Sequence, residues 1–345
     1  MYHSYAEILN QSEALKNTWA AVMAAREGIV NWLEGGQDIV IVACGSSYWA
    51  SLSAAQTLGR TLKTNAWALK AGDLVMHPTL YEGRFRRPLI LAPSRSGSTS
   101  EQLKAIQVLK QLYPEAKVLS FVVYGDSRLA GLSDLSIHLP WPRETSVCQT
   151  RSFNCLYLAM AAVAALKDQQ LAQGLQAFLE DFDRLAHDGM VRMERVCGRF
   201  SQVSSLVAIG SGVQYGLVIE GAYIAIEMAQ MPGNYYQVLE LRHGPIVTVG
   251  KQTLVALCSA GGEATRLEEQ MLKEAAAAGA ATLAVGYEGF AEADEAFHLP
   301  QGWPQEAVAL YFVFLMQAYA YYKALQSGLD PDKPGDLIPF ITIDV

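Results

Sequence analysis

Three times in this chain a continuous apolar run empties into a short polar loop containing glycine, and a helical pattern opens at once. Asp38 to Cys44 leads into Gly45-Ser46-Ser47-Tyr48 and a helical stretch through Leu62. Pro88 to Pro93 leads into Ser94-Arg95-Ser96-Gly97-Ser98-Thr99-Ser100, and from Glu101 onward Leu103, Ile106, Leu109 and Leu112 fall at helical spacing. Ser205 to Ile209 leads into Gly210-Ser211-Gly212 and a helical stretch to Ala229. Unbroken apolar runs suit parallel strands covered on both faces, and their alternation with helices predicts an α/β fold of doubly wound parallel sheets. Ligands of such sheets bind beyond the carboxyl ends of the strands, where the loops 44–48 and 94–100 are candidates to line one crevice.

The 94–100 loop carries more polarity than a helix start requires. One N-cap needs one hydroxyl, and Ser100 serves for that, yet Ser94, Ser96, Ser98 and Thr99 add four more beside Gly97 and Arg95. A strand-to-helix junction aims backbone N–H groups and the positive end of a helix dipole at one point, so the loop is a candidate phosphate site. It has neither a terminal Gly-Lys-Ser/Thr nor a Gly-x-Gly-x-x-Gly, which favours a small phosphorylated molecule over a nucleotide.

Composition narrows the classes. With 345 residues the chain is large enough for two units of similar size, and 51% apolar against 17% charged residues supply sizeable cores. A net charge of −8 argues against nucleic acid as the main partner. No apolar run is expected to reach membrane-spanning length, Leu156 to Leu166 being too short, and Met1-Tyr2-His3-Ser4-Tyr5 does not read as a signal peptide, so neither a membrane nor export is expected. Five scattered cysteines without a Cys-x-x-Cys pair read as reduced cytoplasmic thiols, and six dispersed histidines give no metal-ligand spacing.

Helical spacing runs from Ser4 to Leu33, ended by Gly35-Gly36, and further strands are expected at Val118–Tyr124 and Asp134–Leu139. Trp141 to Thr150 reads as an irregular linker, followed by helices over about 152–167 and 168–200, the latter burying Leu175, Phe178, Phe182, Leu185 and Met193. Thr253–Cys258 and Ala281–Gly286 add strands to a second half that repeats the first in outline. The expected organisation is a helical segment over 1–36, α/β domains over 37–168 and 203–326, a connecting helix over 169–202 and a tail over 327–345.

Glu220 and Glu227 lie seven residues apart in the stretch stopped by Met231-Pro232-Gly233, and so share one helix face. Their neighbours Ala222, Tyr223, Ile224, Ala225, Ile226 and Met228 are apolar enough to raise a carboxylate pKa toward that of a general base, although solvated glutamates are the commoner kind. His243, in Leu241-Arg242-His243-Gly244-Pro245, stands in a turn context, where a lone histidine is more often structural than catalytic.

Taken together, these pieces resemble the sugar isomerase (SIS) domain proteins, in the two-domain form of the isomerase half of glucosamine-6-phosphate synthase and its glutaminase-free relatives. The matching pieces are Ala43 to Tyr48, Ser94 to Thr99, Glu144 through Val147 to Phe153, Glu220-Gly221-Ala222 with Glu227, Glu240 to Pro245, and Asp330-Pro331-Asp332-Lys333-Pro334. The resemblance implies two similar doubly wound SIS domains with flanking helices. It implies phosphate binding by Ser47, Ser94, Arg95, Ser96 and Thr99, and contacts to sugar hydroxyls from the 147–149 stretch, Val147 and Gln149 included. It makes Glu227 the base that moves a proton between C1 and C2, and His243 the residue that assists ring opening, in some members from the neighbouring subunit, hence a homodimer. No metal or organic cofactor is implied.

Three departures stand out. Arg95 replaces a glutamine of the synthase, and Ile224 and Pro339 stand where the synthase has lysines, which speaks against Schiff-base ring opening of its kind. With no N-terminal cysteine nucleophile and no glutaminase domain in the sequence, the resemblance leads to a phosphosugar isomerase of deaminase or deglycase type, acting on an amino-sugar phosphate or a fructosamine phosphate. The alternatives are a plain aldose–ketose phosphate isomerase and a non-catalytic sugar-phosphate-binding regulator.

Overall fold

The structure is a computed structural model that describes residues 2–338. By its internal contacts the chain divides into two units. The first comprises Glu13–Arg143 and Arg151–Gln173; the second comprises the N-terminal residues to Ser12, Glu144–Thr150 and Gly174–Leu337.

Three helices open the chain, α1 (His3–Leu9), α2 (Gln11–Ala24) and α3 (Arg26–Leu33). The first unit is then built on β1 (Ile39–Ala43), α4 (Gly45–Leu62), β2 (Ala66–Lys70), α5 (Ala71–Met76), β3 (Leu89–Ser94), α6 (Ser100–Leu112), β4 (Lys117–Val122), α7 (Arg128–Leu132), β5 (Leu135–His138) and α8 (Arg151–Ala165). Its sheet runs in the order β2-β1-β3-β4-β5, every pair parallel. β1 (Ile-Val-Ile-Val-Ala) and β3 are buried along their whole length, as runs that are apolar on both faces demand. Val40, Val42, Ile90, Ala92, Leu103, Ile106 and Leu109 form the core between sheet and helix.

The long helix α9 (Gln169–Arg199) leads into the second unit, whose elements are β6 (Ser205–Ile209), α10 (Tyr215–Ala229), β7 (Gly233–Tyr236), β8 (Thr253–Cys258), α11 (Thr265–Ala277), β9 (Ala281–Gly286), β10 (Glu295–His298) and α12 (Gln305–Gln326). The sheet order is β10-β9-β8-β6-β7, again all parallel. In each sheet the first strand lies between the second and the third, so the chain leaves neighbouring strands in opposite directions and opens a crevice between them: β1 and β3 in one sheet, β6 and β8 in the other.

Leu175, Phe178, Phe182, Leu185 and Met193 of α9 are all buried, Phe178 and Phe182 packing edge-on against Trp303 and Phe314. One expectation is corrected by α12. Its 22 residues are long and apolar enough to cross a membrane by length and composition, but 89% of the apolar window is buried inside the protein. Tyr311 of α12 donates to Leu185 O at 3.2 Å, anchoring the helix on α9. All five cysteines are free thiols.

Candidate active site

The loop after β3 folds upon its own hydroxyls. Ser94, the last residue of the strand, accepts from Gly97 N at 3.1 Å; Ser96 Oγ accepts from Ser98 N at 3.2 Å and lies 3.3 Å from Thr99 Oγ1. Gly97 has φ +59°, and a Cβ there would overlap the Cβ and Oγ of Ser127. Glycine is therefore required twice at this turn, by backbone conformation and by space. The helix begins one residue earlier than expected. Thr99 is the N-cap of α6, with φ −62° and ψ 119°, and it makes no side-chain cap bond; Ser100 already lies inside the helix. A hydroxyl cap is thus not what ends this loop, and the first-turn N–H groups of α6 keep the orientation that attracts an anion.

The loop after β1 lies beside it. Gly45 starts α4 at φ +52° with open space where a side chain would be, and Ser46 and Ser47 are buried in the first turn. Gln102 of α6 ties the two strand ends together, its Nε2 donating to Val42 O and to Pro93 O, both at 2.9 Å. Loops 44–48 and 94–100 therefore leave neighbouring strand ends that one side chain holds together within the first unit. At the end of β1, burial, then the charge of Glu101, pushes the Cys44 thiol up to about 12, away from the thiolate form.

The five residues assigned to the phosphate, Ser47, Ser94, Arg95, Ser96 and Thr99, fall in the first unit. Val147, Gln149, Glu227 and His243 fall in the second. Val147 and Gln149 are half-buried in a segment, 144–150, without helix or strand. Glu220 is fully buried on α10, while Glu227 two turns later is half-buried, so the picture of two water-exposed glutamates fails for Glu220. Burial, followed by the charges of Glu227 and Glu220 and the neighbouring Tyr235, raises the Tyr223 pKa, which places both carboxylates within electrostatic reach of that phenol.

The helix end is fixed sharply. Gln230 closes it in the left-handed region at φ +49°, and a Cβ on Gly233 would stand 2.6 Å from Ala222 O, so β7 returns close against α10. His243 is exposed and ends a 3₁₀ turn over Leu239–Arg242, its N–H donating to Glu240 O at 3.0 Å; Gly244 follows at φ +117°. Arg242 fixes this turn onto α11 by a two-pronged bond to Glu274, at 2.7 and 2.9 Å.

In the second sheet the loop that corresponds to 94–99 is closed from within. Glu268 of α11, 2% exposed, accepts from Ser259 Oγ at 2.5 Å and Ala260 N at 2.8 Å, and Gly261 N donates to Ser259 Oγ at 3.0 Å. A carboxylate of the chain itself takes up the donors there. Sequence reasoning missed Glu268 and Gln102. For Gln102 a signal existed: it lies four residues before Ile106 and seven before Leu109, on the face that faces the core. Among the described residues no group of three His, Cys, Asp or Glu stands close enough together to hold a metal ion.

Residues 34–167 match the SIS domain. The match covers 134 of the chain's 345 residues. Over 98% of its length it is 27% identical to the glutamine–fructose-6-phosphate aminotransferase of Sulfurisphaera tokodaii, covering 56% of that protein. The chain thus spans about half the length of the curated relatives it matches. The solved structure of glucosamine-6-phosphate deaminase from Thermotoga maritima is 26% identical, with a TM-score of 0.79 over 99% of this chain and 100% of that one. Tagatose-6-phosphate ketose/aldose isomerase from Escherichia coli shares the fold at a TM-score of 0.82, with 22% identity over 97% of this chain and 95% of that one.

Proposed function

We propose that the chain is a phosphosugar isomerase that acts on an amino-sugar phosphate or a fructosamine phosphate, transfers a proton between C1 and C2, and releases ammonia or an amine. The observation that carries this reading is the Ser94–Thr99 loop, which gathers hydroxyls, a left-handed glycine and a helix start without a side-chain cap bond at the end of β3. Its support on the side of the amine is the likeness to a protein named glucosamine-6-phosphate deaminase over the full length of both chains.

In this reading residues 37–168 and 203–326 are two doubly wound SIS domains, and the active form is a homodimer. Ser47, Ser94, Arg95, Ser96 and Thr99 hold the phosphate, the guanidinium of Arg95 adding charge to the loop's neutral donors. Val147 and Gln149 touch the sugar hydroxyls. His243 passes a proton to the ring oxygen as the sugar opens, or to the leaving amine. Glu227 removes the proton from C2 of an open amino-aldose and returns it to C1 through an enolamine, and water then releases ammonia from the resulting imine.

The test is a coupled ammonia assay over a panel of amino-sugar and fructosamine 6-phosphates, run beside a ketose assay. Glu227→Gln is expected to lower turnover by about 10²- to 10⁴-fold while binding of the phosphate ester, read by calorimetry, persists. Undiminished turnover in that variant overturns the mechanism, and isomerised sugar without ammonia assigns the plain aldose–ketose reaction instead.

A further inference from the structure

Residues 144–150 form neither helix nor strand, so their polar groups must find partners outside the sheet ladders. Within the second unit three side chains and one backbone carbonyl supply them. Glu7 of α1, 4% exposed, accepts from Thr145 N at 2.5 Å and Ser146 N at 3.4 Å through Oε1, and from Ser146 Oγ through Oε2. Glu144 accepts from Thr150 N at 2.7 Å and Thr150 Oγ1 at 2.9 Å, closing the segment on itself. Gln317 of α12 donates to Thr150 O at 3.0 Å and accepts from Gln11 at 2.7 Å. Asp332, in the C-terminal tail, caps α1 by accepting from His3 N at 2.9 Å and Ser4 N at 2.8 Å, while its carbonyl accepts from Val147 N at 3.0 Å.

The arrangement is more specific than packing alone requires. A buried carboxylate is costly unless its oxygens are filled by donors, and the donors of Glu7 are two amides and a hydroxyl of residues 145 and 146. Charge-assisted bonds of this kind are short and directional, which fixes the peptide planes on either side of Thr145, just ahead of Val147, more tightly than apolar contact would. The same stretch is bonded at its centre to the tail and at its end to α12. A helix that itself bears none of the assigned ligand residues thereby sets the conformation of the segment that does.

We propose that Glu7 is a positioning residue for sugar binding: it holds the backbone of Thr145 and Ser146 so that Val147 and Gln149 present their groups to the sugar, and Asp332 couples that stretch to the tail. This rests on the reading that Val147 and Gln149 touch the sugar.

The experiment compares the wild type with Glu7→Gln and with the milder Ser146→Ala. It measures Kd for glucosamine 6-phosphate and for inorganic phosphate, KM and kcat, and amide exchange over 144–150. Loss of the charge-assisted bonds of Glu7 is expected to weaken glucosamine 6-phosphate about 10- to 100-fold, and Ser146→Ala to weaken it about threefold to tenfold. KM rises with kcat largely kept, exchange over 144–150 quickens, and inorganic phosphate, held by the 94–99 loop, binds as before. Wild-type Kd, KM and exchange in a folded Glu7→Gln, or in Ser146→Ala where Glu7→Gln does not fold, overturn the proposal. A wild type that binds no sugar phosphate fails the functional reading instead, and the exchange measurement then decides on the positioning role alone.

Discussion

Gly97→Ala tests whether the Ser94–Thr99 loop is built as described. Two costs add at this position. At φ +59° an alanine in the left-handed region loses about 1–2 kcal/mol relative to glycine. Its Cβ would also overlap the Cβ of Ser127, a fixed atom that cannot rotate away, so either the loop or the start of α7 must move; overpacking of this kind costs about 1–3 kcal/mol. Ser127 is the N-cap of α7, its Oγ accepting from Ala130 N at 3.4 Å, and Gly97 O accepts from Leu129 N at 3.0 Å, so any shift strains two further contacts. The expected loss is about 2–5 kcal/mol, a fall in Tm of about 5–15 °C for a unit of this size. The assay is thermal and denaturant unfolding of the wild type, Gly97→Ala, Ser127→Gly and the double variant. Removal of the Ser127 side chain should recover the steric part and leave the backbone part, a coupling of about 1–3 kcal/mol. Gly45→Ala serves as control, since φ is +52° there but nothing lies within 4 Å of a Cβ; it should lose only about 1–2 kcal/mol. A Gly97→Ala variant within about 0.5 kcal/mol of the wild type, or strictly additive costs in the double variant, would refute the packing of this loop against α7.

Gln102→Leu should cost about 1–3 kcal/mol in chemical unfolding, because it strands the Val42 and Pro93 carbonyls, and should weaken inorganic phosphate by loosening the two loops against each other; unchanged phosphate affinity would show that the loops hold their places without it. Glu268 supplies a pH signature. Burial raises its pKa, against the lowering effect of the Ser259 and Ala260 donors, so the folded state holds the proton more tightly than the unfolded chain does. Its contribution is then fully present below the ordinary carboxylate pKa and is lost as pH rises through the raised value. Unfolding midpoints of the wild type relative to Glu268→Gln should therefore fall from about pH 4 upward and level off once the carboxyl has ionised, whereas parallel profiles would exclude the raised pKa.

The central strands were legible because burial on both faces writes itself as an uninterrupted apolar run: β1, β3, β6, β8 and β9 all show it. Edge strands carry no such signature. Ala66–Lys70, Gly233–Tyr236 and Glu295–His298 are half-exposed and short, their register set by the neighbouring strand rather than by their own composition, and sequence reasoning passed over them. The helix Gln305–Gln326 escaped for the opposite reason, being buried on nearly every side and so lacking the polar stripe that marks an amphipathic helix.

The candidate site divides along the same physical line. The Ser94–Thr99 loop announced itself because its chemistry is local: hydroxyls, glycine and helix start are contiguous, and the fold needs only to leave them at a strand end. Pro339, whose replacement of a lysine bears on the mechanism, lies outside the described residues. The supports are a different matter. Glu7 reaches residues 145 and 146 across well over a hundred positions of chain, and Asp332 meets His3 and Ser4 across more than three hundred, so nothing near either residue in sequence speaks of its partner. What could have been noticed is the type of residue: Glu7 stands beside Ile8 in a stretch whose apolar residues recur at helical spacing, and a carboxylate that is buried there must be answered by donors from elsewhere. A polar residue in core register is thus the trace that a positioning residue leaves in sequence, and for Gln102, Glu268 and Glu7 alike the structure supplies the donor or acceptor which that trace requires.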